Sequence, residues 1–397
     1  MYPIISHSIM CSLAFAIIAL SGCNKTSDED TTEQANIESA DSASVSNHPM
    51  NCLIVVLDAF HAKNSSLYGF PEPTTPHIDK WAEKGIVFDH ASSQFISTST
   101  SSWSYLNGRY PYHSKGISRM RDDDVPIAEL FQQAGYRTAG FSDNPFVNES
   151  QGTDKGFDDF HYYAFKDKKR LPATMSKRNE VSQRLFDELS QWVQNEHPEP
   201  WFAYLHTLRP HNPYPAQEPY LSEFADTSSV PAGEDAQDYF YELEKATVKN
   251  FYGGGYSPEF IKQLEIMHRL YLGNIANVDA MLDALLDALD DAGQLENTFV
   301  VIMSDHGEAF GEHKNWGHSK LAPYSEVTHV PFVIIPPASL GIEPGRISTS
   351  VELTDLLPTL ADIFALSDSM RRDGQSLAPL LRNEDGYSKP AIFSQSE

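Results

Sequence analysis

Two runs of consecutive apolar residues, far apart in the chain, restrict its fold more than any other feature. Cys52-Leu53-Ile54-Val55-Val56-Leu57 and Phe299-Val300-Val301-Ile302-Met303 contain no polar position at all. A strand with one face in water alternates apolar and polar residues, whereas an unbroken run needs cover on both faces. The arrangement that supplies it is a parallel sheet between two layers of helices. The rest of the chain keeps that rhythm. Thr75-Pro76 opens a short helix that Gly85 closes, and Val125 to Ala134 reads as a helix stopped by Gly135. Arg137 to Phe141 is the next strand, Val181 to Asn195 a helix and Trp201 to Leu205 a strand. Phe260 to Ala292 reads as one long or broken helix with Ile275, Val278, Met281, Leu282, Leu285 and Leu289 on its apolar stripe. Val330 to Ile335 is a further strand, and Thr354 to Ala365 a helix. Strands and helices in alternation predict an α/β, doubly wound, mostly parallel sheet with helices on both faces. Residues 213–255, rich in Tyr, Pro, Gly and acids, read as a long loop or lid.

Both apolar runs lead into an aspartate: Asp58 directly, and Asp305 after Ser304, with His306 beside it. Open α/β sheets bind ligands beyond the carboxyl ends of their strands. One such aspartate is a turn or a cap. Two carboxylates and an imidazole at a single rim repel or stay unpaired unless a cation joins them, which predicts a metal site. Phe95 to Pro111, FISTSTSSWSYLNGRYP, is a Ser/Thr-rich loop entering a helix whose first amides face that rim. Such a terminus holds an oxyanion, and a hydroxyl placed there and touching a metal becomes a nucleophile. Without the metal it is an ordinary Ser/Thr-rich helix start.

Acidic residues outnumber basic ones 55 to 29 among 397, with a formal charge of −26 and no Lys/Arg-rich block, so no nucleic-acid partner is expected. The three cysteines form no disulfide framework, and Cys52 reads as a buried free thiol. Residues 1–22 read as a signal peptide with the short apolar core Cys11 to Leu20. Leu20-Ser21-Gly22-Cys23 resembles a bacterial lipobox, which implies lipidation of Cys23 and anchoring to a membrane of the cell envelope; plain secretion is the alternative. Residues 23–50 are acidic and Ser/Thr-rich and read as a disordered tether, leaving residues 51–397 as the folded domain.

In that domain NCLIVVLDA, LYGFPEPTTPHIDKWAEKGIVFDHA, LNGRYPYHSKG, LHTLRPHNPY, YLGNIANVDAMLD and SDHGEAFGEHKNWGHSKLAPYSEVTHVPF occur in this order. With these pieces the chain resembles the sulfatase family of the alkaline phosphatase superfamily. The resemblance implies that fold and a metal-dependent hydrolase or transferase acting on sulfate, phosphate or phosphonate esters, with a glycan or a lipid head group as possible carrier. It also implies a C-terminal subdomain that is minimal or missing here. Sulfatases form a formylglycine from Cys or Ser; aligned on Asn107-Gly108, that position falls on Thr98 and the family's arginine on Ser102, so no formylglycine is expected. Asp58-Ala59 stands where the family has two acids, and FSDNPF replaces its Gly-Lys-Trp-His segment. Threonine nucleophiles resemble those of the phosphodiesterase and phosphoethanolamine-transferase branches. Carried over from these, the metal ligands are Asp58, Thr98, Asp305 and His306, with Thr98, His211 and His318 catalytic and His113, Lys115 and Arg209 substrate-binding. This donor set suits Zn²⁺ or Mn²⁺ better than Ca²⁺. Asp279 is expected to serve its helix rather than the metal. A sulfatase with an atypical nucleophile and a non-catalytic anion- or glycan-binding lipoprotein are the alternatives.

Overall fold

The computed structural model describes residues 49–111, 119–163, 175–195, 200–214, 217–226, 257–318 and 323–396, with a few isolated positions between them. Cys23 and the lipobox lie outside the described residues, as do His113, Lys115 and most of the 213–255 segment. No helix among the described residues is long and apolar enough to cross a membrane.

The main sheet has eight strands: β1 Asn51–Asp58, β2 Ile86–Phe88, β3 Arg137–Ser142, β4 Asp159–Tyr162, β5 Trp201–Pro210, β6 Thr298–Met303, β7 Phe332–Ile335 and β8 Gly345–Ile347. Their spatial order is β8-β2-β7-β6-β1-β5-β3-β4. All pairings are parallel except those of β7, which runs antiparallel to both β6 and β2. The predicted strand 330–335 is thus divided at Pro331: His329–Val330 pairs in a small separate sheet and only Phe332–Ile335 joins the main one. An apolar run states burial, not direction, so the reversal left no mark on the composition.

The two central strands are apolar throughout because each face meets a different helical layer. Leu53, Val55 and Leu57 of β1 pack with helices α1 Pro76–Ala82, α4 Met175–Gln194 and α5 Pro258–Asp291. Cys52, Ile54 and Val56 face the opposite layer, which holds α2 Thr98–Asn107, α3 Ile127–Gln133 and α6 Leu356–Ile363. Cys52 is the buried free thiol that was expected. Thr75 sits at the start of α1, but the amides of His77 and Ile78 are capped by Asp279 of α5, at 3.0 and 2.8 Å. Asp279 therefore ties two helices together, away from the metal candidates.

Register places the rim. Val56 of β1 pairs with Met303 of β6, so two residues further on Asp58 and Asp305 leave the sheet side by side. Val56 also pairs with His206 of β5, and His206 with Ser142 of β3. Four strand ends thus deliver Asp58, Asp305, the residues after Ser142 and the His206–His211 stretch to one place.

Candidate active site

Asp58, Asp305 and His306 converge: one ligand atom from each lies within 4.8 Å of the others, and all three side chains are buried. Thr98 is the first residue of α2. Its Oγ1 lies 3.4 Å from both carboxylate oxygens of Asp58 and 3.2 Å from His306 Nε2. His306 Nε2 is 3.3 Å from Asp58 Oδ1 and 3.7 Å from Asp305 Oδ2. All four predicted ligands therefore meet at the carboxyl ends of β1 and β6.

The surrounding backbone explains why they stay there. Asp305 Oδ1 accepts the amides of Ala59, at 3.2 Å, and His306, at 2.9 Å, which turns Oδ2 toward the centre. Ala59 has φ 61°, a left-handed turn that bends the chain sharply after Asp58. Tyr271 on α5 pins this turn, donating to the Ala59 carbonyl at 2.7 Å and accepting the His61 amide at 3.0 Å. Ser101 Oγ donates to the Asp305 carbonyl at 2.6 Å and fastens the first turn of α2 to the end of β6. Gly307 admits no side chain, since a Cβ there would lie 2.2 Å from the Glu326 carbonyl oxygen.

The electrostatics ask for a cation. Asp305 Oδ2 is wholly buried and has no hydrogen-bond partner, a costly state for a carboxylate oxygen. Burial, and then the charge of Asp305, push the Asp58 carboxyl well above its usual range. Asp305 is desolvated too, but facing His306 and His206 it stays below its usual range. His306 Nδ1 lies 2.9 Å from the Gly307 carbonyl, an acceptor only, so its proton sits there and Nε2 offers a lone pair to the centre. Two carboxylates, an imidazole nitrogen and a hydroxyl fit a divalent metal with mixed nitrogen and oxygen preference.

His318 and His211 line the same space. The rings of His306 and His318 are 4.3 Å apart, and those of His211 and His318 4.9 Å. His318 Nδ1 lies 3.0 Å from Glu308 Oε1, which leaves Nε2 on the other side of the ring. Burial lowers both His211 and His318 to about 4, so both are neutral at neutral pH. Arg209 does not join them. The long strand β5 carries it past Leu205, and its guanidinium turns inward, to Ser182 of α4 at 3.2 Å and Asn274 of α5 at 3.0 Å. This corrects the substrate-binding assignment of Arg209, a buried residue that organises the fold behind the site.

Three nearby residues escaped the sequence analysis. Asn144, in the FSDNPF segment after β3, donates to Asp58 Oδ2 at 2.5 Å. Its position just past a strand end was a usable signal. Glu308, three residues after Asp305, gave no signal in the sequence; only the structure shows it as the partner of His318. His206 follows the apolar stretch Phe202 to Leu205 of β5, but Thr207 and then Arg209 come soon after it, so no isolated polar position marked it.

Comparison with known proteins gives the family and the fold. The Sulfatase family model matches residues 50–366. Arylsulfatase K of Xenopus laevis is 26% identical over 383 residues, covering 87% of this chain and 69% of the relative. The endo-4-O-sulfatase of Bacteroides thetaiotaomicron is 24% identical over 356 residues, covering 78% of this chain and 66% of the relative. The chain thus spans about two thirds of the length of either. Among solved structures, the phosphonate monoester hydrolase of Agrobacterium radiobacter superposes with a TM-score of 0.68 at 22% identity, covering 85% of this chain and 78% of that one.

Proposed function

Because the chain belongs to the sulfatase family, and with it to the ester hydrolases, we propose that it is a metal-dependent hydrolase with Thr98 as nucleophile, acting on sulfate or phosphonate esters of glycans. The observation that carries this is the meeting of Thr98 Oγ1 with Asp58 and His306 at 3.2 to 3.4 Å, beside the partnerless Asp305 Oδ2. Asp58, Thr98, Asp305 and His306 would hold the metal, with Zn²⁺ or Mn²⁺ favoured over Ca²⁺ by the imidazole. A bound divalent cation lowers the pKa of an oxygen it touches and offsets the charge that builds up on the ester oxygens. Thr98 Oγ1 gives up its proton and attacks sulfur or phosphorus in line while the first amides of α2 hold the non-bridging oxygens; the opposite ester S–O or P–O bond breaks and its oxygen leaves as the alcohol, taking up a proton. His318, fixed through Nδ1 by Glu308, presents Nε2 for proton uptake and return, and His211 borders the same oxygens. Water then releases the group from Thr98.

The sulfate and phosphonate choice rests on the names of the two sulfatases and the hydrolase above. Export and lipid anchoring through Cys23 complete the proposal and rest on Leu20 to Cys23 alone. The test is Thr98→Ala, assayed on aryl sulfate, phosphonate monoester and phosphodiester substrates with bound metal measured in parallel. The expected result is turnover lost on every substrate, with metal content at least half that of the parent. Undiminished turnover removes the nucleophile assignment.

A further inference from the structure

His206 takes no part in the chemistry above, yet its side chain is wholly buried next to the site. Its Nδ1 lies 2.9 Å from Tyr204 Oη and 3.4 Å from Tyr105 Oη, and these two hydroxyls are 2.7 Å apart. Its Nε2 has no hydrogen-bond partner and faces Asp305 Oδ2, likewise partnerless, across 3.7 Å. His306 Nε2 is equally far from Oδ2, at 3.7 Å, but its proton sits on Nδ1 and it has no N–H to offer there, so His206 is the ring whose Nε2 can carry a proton toward that oxygen. A carboxylate oxygen accepts and never donates, so the proton of a neutral His206 belongs on Nε2. Nδ1 then accepts from Tyr204, and Tyr105 gives its one proton to Tyr204 at 2.7 Å rather than to the more distant Ser102 Oγ at 3.3 Å. Asp305 Oδ1 is already taken by two amides. Oδ2 has more than one lone pair, enough for a cation on one side and an N–H on the other. His206 is not among the side chains whose ligand atoms cluster within 4.8 Å, so it stands behind Asp305 and not beside it as a ligand.

We propose that His206 is a positioning residue for Asp305: held by Tyr204 and Tyr105, it directs Nε2–H at Oδ2 and sets the orientation of that carboxylate toward the cation. This rests on the metal assignment made above. Outer partners of this type usually change metal affinity by about 10- to 100-fold. The first test is the imidazole nitrogen spectrum of ¹⁵N-histidine-labelled, metal-free protein, with the His206 signal identified by its loss in His206→Gln. An Nε2–H tautomer is expected, and an Nδ1–H tautomer overturns the proposal. The second is zinc affinity by competition with a chromophoric chelator. His206→Phe should bind zinc about 10- to 100-fold more weakly, His206→Gln, which keeps an N–H donor, should recover most of that, and Tyr204→Phe should fall between. At saturating zinc kcat should drop in His206→Phe with KM little changed. Unchanged zinc affinity in a folded His206→Phe overturns the His206 assignment alone, whereas a parent that takes up neither zinc nor manganese overturns the metal assignment with it. Should His206→Phe fail to fold, the Gln and Tyr204 variants and the tautomer decide.

Discussion

Replacing Asp58 with Asn should stabilise the metal-free protein and destabilise it relative to the parent once metal is present. Asp58 and Asp305 place ligand oxygens no more than 4.8 Å apart in the buried rim. Above the folded pKa of Asp58, where both carboxylates are ionised, two unit charges at that distance repel by about 3–4 kcal/mol at an effective dielectric near 20. The substitution removes this repulsion but weakens the bond that Asn144 donates to Asp58, a loss of about 1–2 kcal/mol for a charge-assisted bond made neutral. The net gain is about 2 kcal/mol, or roughly 2–4 °C in a protein of this size. The sign with pH is fixed. Burial and Asp305 raise the folded pKa of Asp58, so the folded state keeps a proton that the unfolded state releases. The parent's metal-free stability is then greatest below about pH 4 and declines as pH rises toward the folded pKa. The advantage of Asp58→Asn should therefore be larger at pH 8 than at pH 5. The assay is thermal unfolding in chelator and in excess Zn²⁺ or Mn²⁺ at both pH values. Metal should raise the parent and leave the variant nearly unmoved, so the order of the two melting temperatures reverses. A variant that melts below the parent in chelator, or a parent that metal does not raise, refutes the reasoning.

Further outcomes follow from the supports of the site. Gly307→Ala would bring a Cβ to 2.2 Å from the Glu326 carbonyl oxygen; a loss of about 2–3 kcal/mol in denaturant unfolding and a marked fall in metal affinity are expected. Tyr271→Phe removes the bonds to the Ala59 carbonyl and the His61 amide and should cost about 1–3 kcal/mol, with kcat reduced while the metal is still bound. Asp279 is raised to about 7 chiefly by burial, so its contribution is full below about pH 4 and is lost as pH rises through 7, by no more than about 4 kcal/mol. The slope of stability against pH between 5 and 8 should flatten in Asp279→Asn.

What the sequence displayed and what it hid divide along physical lines. Continuous apolar runs report burial on both faces, so β1 and β6 were legible nearly to the residue, and Asp58 and Asp305 came with them as the first charged residues after each run. Thr98 was legible as a helix start, while its role as a ligand came from the family resemblance. Strand direction has no periodicity of its own, which is why antiparallel β7 was not anticipated. Arg209 was misjudged because β5 runs on to Pro210 and carries the guanidinium inward. Asn144 and His206 are polar residues whose partners lie 86 and 99 positions away, distances no local pattern reports.

The most direct test of the central claim is peptide mass spectrometry of metal-loaded protein quenched in acid during turnover of an aryl sulfate or aryl phosphonate. A sulfo or phosphonyl group is expected on Thr98, absent in Thr98→Ala. Steady turnover with the group found on another side chain, or with no trapped adduct at Thr98 despite a burst of released phenol, would contradict the account.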